Sequence, residues 1–194
     1  MIFLKDETIL KRLDRLKTKG FESLHLPGGT SKDGDYYSGA IVAKYDPKTK
    51  KMYFLGVPYN SRFHLLYQNG HNKKSGELPD LTIIRELMEE TGLQAKSEDL
   101  WLVLHKKIPD NRPEHRGEFH RKFYYLIIEF TGKIFNFKGA NPIDQETAAP
   151  LWLPAGMFVS KVFKGHLEAV YAAIEELSSM SKEYALALMN VVPR

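Results

Sequence analysis

Three glutamates, Glu86, Glu89 and Glu90, are spaced at i, i+3 and i+4, with Arg85 directly before them and Glu77 upstream. On an α-helix those positions share one face, so the three carboxylates converge. Like charges this close cost roughly a few tenths of a kcal/mol per pair. A divalent cation, or a neighbouring base such as Arg85, relieves that repulsion. Carboxylate oxygens are what Mg²⁺ prefers, with waters and substrate phosphate oxygens completing its octahedron. A solvated acidic helix face produces the same local pattern, so the flanking residues have to decide between the two.

The flanks read Gly76-Glu77, seven residues, then Arg85-Glu86-Leu87-Met88-Glu89-Glu90-Thr91-Gly92-Leu93. This stretch resembles the Nudix box, G-x5-E-x7-R-E-U-x-E-E-x-G-U with U aliphatic, and every position from Glu77 onward agrees. The resemblance implies an α/β protein, a Nudix-type α/β/α sandwich with a mixed β-sheet between helices. It implies that Glu86, Glu89 and Glu90 hold Mg²⁺ or Mn²⁺, that Arg85 orients a glutamate, and that Glu77 supports the metal and water network. A backbone carbonyl at Gly70 is the further metal ligand it implies. The start of the box departs from the pattern: His71 replaces a glycine, and Gln68-Asn69 stand where a proline is usual. His71 must then accept a glycine-like backbone, which is uncommon for histidine.

A second likeness to the family lies at Gln145-Glu146-Thr147-Ala148-Ala149-Pro150-Leu151-Trp152-Leu153-Pro154. Many Nudix enzymes place a loop glutamate before a Trp-x-x-Pro-like strand, as general base or extra metal ligand. Glu146 takes that role here, with Asp144 in reserve and a plain surface carboxylate as the alternative.

The implied reaction is attack of water on a phosphorus of a diphosphate bridge, with the metal neutralising phosphate charge. The proton goes to a box glutamate such as Glu89 or to Glu146. The substrate class is a nucleoside diphosphate linked to another moiety. Two other readings stay open: a non-catalytic Nudix-like regulator that binds a nucleotide, and an RNA 5′-end pyrophosphohydrolase. In the latter the basic residues Lys106, Lys107, Arg112, His115, Arg116, His120, Arg121 and Lys122 track phosphates. A small-molecule substrate is preferred over nucleic acid.

Several elements must position these residues. Apolar residues at helical spacing predict a helix over 6–19, with Asp6 as N-cap and Gly20 as stop. Residues 25–34, rich in glycine, read as loop at the border of an N-terminal extension; no Gly-Lys-Ser/Thr follows Pro27-Gly28-Gly29, which argues against a phosphate loop. Segments 38–45 and 52–57 flank a polar turn and predict a β-hairpin. Further strands are expected at 63–67, 100–105, 122–130 and 131–137, with 106–122 as a basic loop. The helix carrying the box runs over 80–91 and ends at Gly92, with Leu81, Ile84 and Leu87 or Met88 as its apolar face, opposite the glutamates. Two more helices are expected over 165–177 and 182–191.

The domain organisation expected is a helical extension over 1–35 and a Nudix hydrolase domain over 36–194. The family likeness covers about 36–177. For the first and last helices a homodimer contact, a cover over the pocket and an extension of the core are all open.

With 194 residues, 43% hydrophobic and 27% charged, the chain has the composition of a soluble globular protein. No run approaches the roughly 18 apolar residues of a membrane span, and the start lacks a signal-peptide core, so a cytoplasmic location is expected. Zero cysteines exclude disulfides, thiolate metal sites and cysteine nucleophiles, which leaves oxygen or imidazole ligands and points to hard cations. A net charge of +4 suits phosphorylated small molecules and nucleic acid alike.

Overall fold

The computed structural model describes residues 4–31, 36–60, 76–109, 119–128 and 149–191. Helix α1 (Asp6–Thr18) ends where expected, with Gly20 at φ 92° just beyond it. Its N-cap is Lys5, and Asp6 lies inside the first turn, where its charge meets the helix dipole favourably. The next stretch departs from the expectation of a loop. It supplies two short strands, β1 (Ser23–His25) and β2 (Gly28–Thr30). Backbone pairing makes β2, and its two glycines carry no side-chain alternation by which a strand is read.

Strands β3 (Tyr36–Asp46) and β4 (Lys51–Tyr59) form the expected hairpin, each longer than its apolar core. Asp46 holds the turn, accepting from the Lys48 N–H at 3.1 Å and from the Thr49 hydroxyl at 2.6 Å. Strands β5 (Trp101–Pro109) and β6 (Phe119–Ile128) pair antiparallel, and β7 (Leu151–Pro154) pairs with β4. The sheet runs β1-β4-β3-β6-β5, with β2 beside β3. Since β3 and β6 are parallel and the other pairs antiparallel, the sheet is mixed.

The basic segment is corrected by this register. Lys106, Lys107, His120, Arg121 and Lys122 are strand residues, with Lys106 opposite Lys122 and Lys107 opposite Arg121. Their polarity reads as loop, yet the ladder continues past the edge of the core: Lys107 and Arg121 stay exposed, whereas Lys106 pairs with Glu168 and Lys122 lies over the Tyr37 ring. Arg112, His115 and Arg116 lie outside the described residues, as do the strands expected at 63–67 and 131–137.

Alternate residues of each strand feed opposite faces of the sheet. Ala40, Val42, Leu55, Tyr125 and Ile127 face helix α2 (Pro79–Thr91). Ile41, Ala43, Met52, Phe54 and Leu126 face a second layer built by α1, α3 (Ala155–Lys161), α4 (Leu167–Met180) and α5 (Lys182–Leu188). The result is an α/β/α sandwich, as expected; α3 is an addition the sequence did not signal. Ile9 of α1 and Leu188 of α5 are fully buried in the second layer, so both terminal helices extend the core. Among the described residues no helix is long and apolar enough to cross a membrane.

Candidate functional site

Helix α2 starts with Pro79, whose fixed φ suits a first helical position. It ends at Gly92, left-handed at φ 72°, whose N–H returns to the Met88 carbonyl at 3.0 Å. The buried residues are Thr82, Ile83, Leu87 and Thr91, whereas Leu81 and Met88 are 49% and 38% exposed. Of the apolar face expected opposite the glutamates, Ile84 and Leu87 pack on the sheet as expected, while Leu81 and Met88 are corrected to the exposed side. Glu86 and Glu90 fall within the buried stripe, because the surface they meet is the backbone of β2.

Arg85 organises the cluster. Its Nε and Nη2 donate to the two oxygens of Glu77 at 3.0 and 3.1 Å, a bidentate fork. Its Nη1 donates to Glu86 at 2.6 Å and to Glu89 at 3.2 Å. Thr82 Oγ1 lies 3.0 Å from Glu77 Oε2, which fixes the far side of that carboxylate.

Strand β2 supplies the other wall. Pro27 accepts from the Ala40 N–H and the Ser31 N–H donates to Tyr36, both at 2.9 Å, so those residues face β3. Gly28 and Thr30, between them, face the opposite way. The Gly28 N–H donates to Glu90 Oε2 at 2.8 Å, and the Thr30 carbonyl accepts from Arg85 Nη2 at 3.3 Å.

Burial pushes the Glu86 carboxyl up to about 7, against the nearby Arg85 guanidinium and its hydrogen bond, with the charges of Glu89 and Glu77 adding to the rise. For Arg85, burial acts to lower the pKa. Its hydrogen bonds to Glu77 and the charge of Glu86 outweigh burial and raise it above the ordinary value. Both members of a close ion pair thus move upward, which a simple two-body attraction does not give. Glu77 takes the guanidinium first, and Glu86 is left in a dry site crowded with carboxylates.

Glu77, Arg85, Glu86, Glu89 and Glu90 are therefore brought together on one helix and the residues leading into it. Gly70, His71, Asp144 and Glu146 lie outside the described residues. The sequence reading missed Thr82, Gly28 and Gly29. Pro27-Gly28-Gly29 was a visible signal, although what it cradles is carboxylate and not phosphate. The donor chemistry fits a hard divalent cation: oxygen donors, one of them held by a peptide N–H, with a buried carboxylate that burial alone would keep protonated. Among the described residues, no three acidic or imidazole side chains are drawn together closely enough to hold an ion. Arg85 Nη1 bridges Glu86 and Glu89 instead.

No family model and no curated protein sequence matches the chain. Its shape is similar to the solved NUDIX domain of Shewanella oneidensis NrtR complexed with ADP ribose, at 13% identity over 72% of this chain and 86% of that one, with a TM-score of 0.51. A MutT/nudix family protein from Enterococcus faecalis matches at 13% identity over 78% of this chain, with a TM-score of 0.49; the chain spans 65% of that protein's length. A C. elegans Ap4A hydrolase matches at 15% identity over 74% of this chain and 97% of that one, with a TM-score of 0.48. The chain thus has the Nudix fold. Within it, the residues that resemble the Nudix box stand on α2 and the turn before it.

Proposed function

We propose that this protein is a metal-dependent hydrolase that cleaves the phosphoanhydride of a nucleoside diphosphate linked to another moiety. The observation that carries the reading is the bidentate fork of Arg85 on Glu77, beside a helix that carries Glu86, Glu89 and Glu90. Such a fork holds the guanidinium still, with Glu86 and Glu89 on its Nη1 and Glu90 on the Gly28 N–H.

Glu86, Glu89 and Glu90 would hold Mg²⁺ or Mn²⁺, which when bound supplies charge neutralisation at phosphate and an activated water. Glu90 is oriented by the Gly28 N–H. Arg85 and Glu77 act as positioning residues. Glu89, the most exposed of the cluster with its side chain 52% accessible, is the carboxylate best placed to meet substrate and water. Glu146, on its sequence position before Trp152, is the other candidate base. The ADP ribose bound by the Shewanella NUDIX domain is a nucleoside diphosphate joined to a sugar, and this supports a ligand of that class.

The test is product release from a panel that includes ADP-ribose, nucleotide sugars, dinucleoside polyphosphates, NADH and nucleoside triphosphates, with Mg²⁺ or Mn²⁺. Glu89→Gln is expected to lower turnover on the order of 10²-fold or more. Arg85 bridging Glu86 and Glu89 favours a second reading, a nucleotide-binding regulator. Silence across the panel with tight nucleotide binding retained would decide for it. Turnover confined to RNA 5′ ends, with steep salt dependence of binding, would assign the basic residues of β5 and β6 to phosphate tracking.

A further inference from the structure

Strand β2 lies far from the box in sequence, yet two of the box glutamates rest on it. A Cβ built on Gly29 falls 2.4 Å from both the carboxyl carbon and Oε1 of Glu86, and 2.6 Å from Oε2. Those distances are far inside van der Waals contact, and the three nearest atoms all belong to that one carboxylate. Gly29 is absent from the glycines with positive φ, so alanine would take up its backbone conformation without strain. Gly28 differs: its φ is 154°, and a Cβ there falls 2.3 Å from the Ser38 carbonyl oxygen, a conflict with the sheet itself. The two neighbouring glycines thus have separate causes. Gly28 is required by the backbone and Gly29 by Glu86.

We propose that Gly29 is a positioning residue of the cation site, its bare α-carbon being the floor on which the Glu86 carboxylate lies. Any side chain at this position lifts Glu86 off the strand. Glu86 is a flexible side chain at its far end, so the fold yields easily while the carboxylate moves. The place it leaves is the one that sets it beside Arg85 and along the same helix face as Glu89 and Glu90. The contact itself depends only on the fold; its role in holding a cation rests on the function proposed above.

The test is a double-mutant cycle of Gly29→Ala and Glu86→Ala with two readouts, Mn²⁺ affinity by calorimetry and cation-free thermal unfolding. Gly156→Ala serves as control, since a Cβ there meets open space. Gly29→Ala is expected to weaken Mn²⁺ binding at least ~10-fold while the protein still unfolds cooperatively. In the Glu86→Ala background the same substitution should change affinity less than about twofold, because the group it displaces is gone. In cation-free melts, the change in Tm produced by Gly29→Ala should differ between the unaltered protein and the Glu86→Ala background, because only the former has to displace the carboxylate. Unchanged Mn²⁺ affinity in Gly29→Ala, or an equal loss in both backgrounds, would overturn the proposal. If the unaltered protein binds no Mn²⁺ while the melts still couple Gly29 to Glu86, the contact is real and it is the function reading that falls.

Discussion

Glu86 carries the conflict of the site in a single side chain. Its carboxyl, raised to about 7 chiefly by burial, meets an Arg85 nitrogen at 2.6 Å that favours the ionised form, and burial wins. An acid whose pKa is higher folded than unfolded binds more protons in the native state, so stability falls as pH rises between the two values. Here that window runs from the ordinary glutamate value of 4.5 to about 7. The cation-free protein should therefore lose stability across it, by a contribution of at most about 3 kcal/mol. In Glu86→Gln this contribution should vanish, flattening the dependence of Tm on pH. A divalent cation favours the ionised carboxylate, so the rise in Tm on adding Mg²⁺ should be larger at pH 8 than at pH 5.5. Equal pH slopes in Glu86→Gln and the unaltered protein would show that Glu86 ionises as an ordinary exposed acid.

At the scale of the element, α2 was the most legible part of the chain and also the part most misread in one respect. Its helical spacing, its stop at Gly92 and the identities of Glu77, Arg85, Glu86, Glu89 and Glu90 all stand in the sequence. Ile84 and Leu87 pack on the sheet as their spacing predicts, but that Glu86 and Glu90 border the buried face was not visible there, because the rule that apolar residues face inward assumes a side-chain surface on the other side. The surface here is peptide backbone at Gly28 and Gly29, and Gly28 is separated from Glu90 by 62 positions. Polar residues misled again in β5 and β6, where strands continue through lysines and arginines that are either exposed or, like Lys106 and Lys122, partnered by Glu168 and the Tyr37 ring. The C-terminal stop itself gives a measurable expectation. Gly92 sits at φ 72°, a conformation that costs an L-residue about 1–2 kcal/mol. Gly92→Ala should therefore lower Tm by roughly 2–8 °C, read by thermal unfolding followed by circular dichroism. No change would mean that the helix end rearranges and that α2 is not tied down by this cap.

For the molecule as a whole, the question is whether the site depends on helices that never touch it. Strand β3 gives Ala40 and Val42 to the layer under α2, and Ile41 and Ala43 to the layer under α1, α3, α4 and α5. A strand shared in this way couples the two layers, since backbone that shifts for one shifts for the other. Ile9 of α1 has no exposed surface and packs into the same cluster as Phe54, Leu153 and Leu177. Truncating it to alanine leaves a cavity and removes apolar contact, a loss of about 2–5 kcal/mol for a fully buried site. Ile9→Ala should therefore lower the urea midpoint of the entire protein, with tryptophan fluorescence and far-ultraviolet circular dichroism giving one coincident transition. The two tryptophans, Trp101 and Trp152, stand on β5 and β7; β7 touches α1, but the Trp152 side chain packs on the opposite layer, under α2, so their signal reports the sheet and not the helix. If the substitution costs less than about 1 kcal/mol, or if helical signal is lost ahead of the fluorescence change, α1 is an appendage that unfolds by itself. A single shifted transition makes the N-terminal helix part of the cooperative unit that holds α2 and its carboxylates against Gly28 and Gly29.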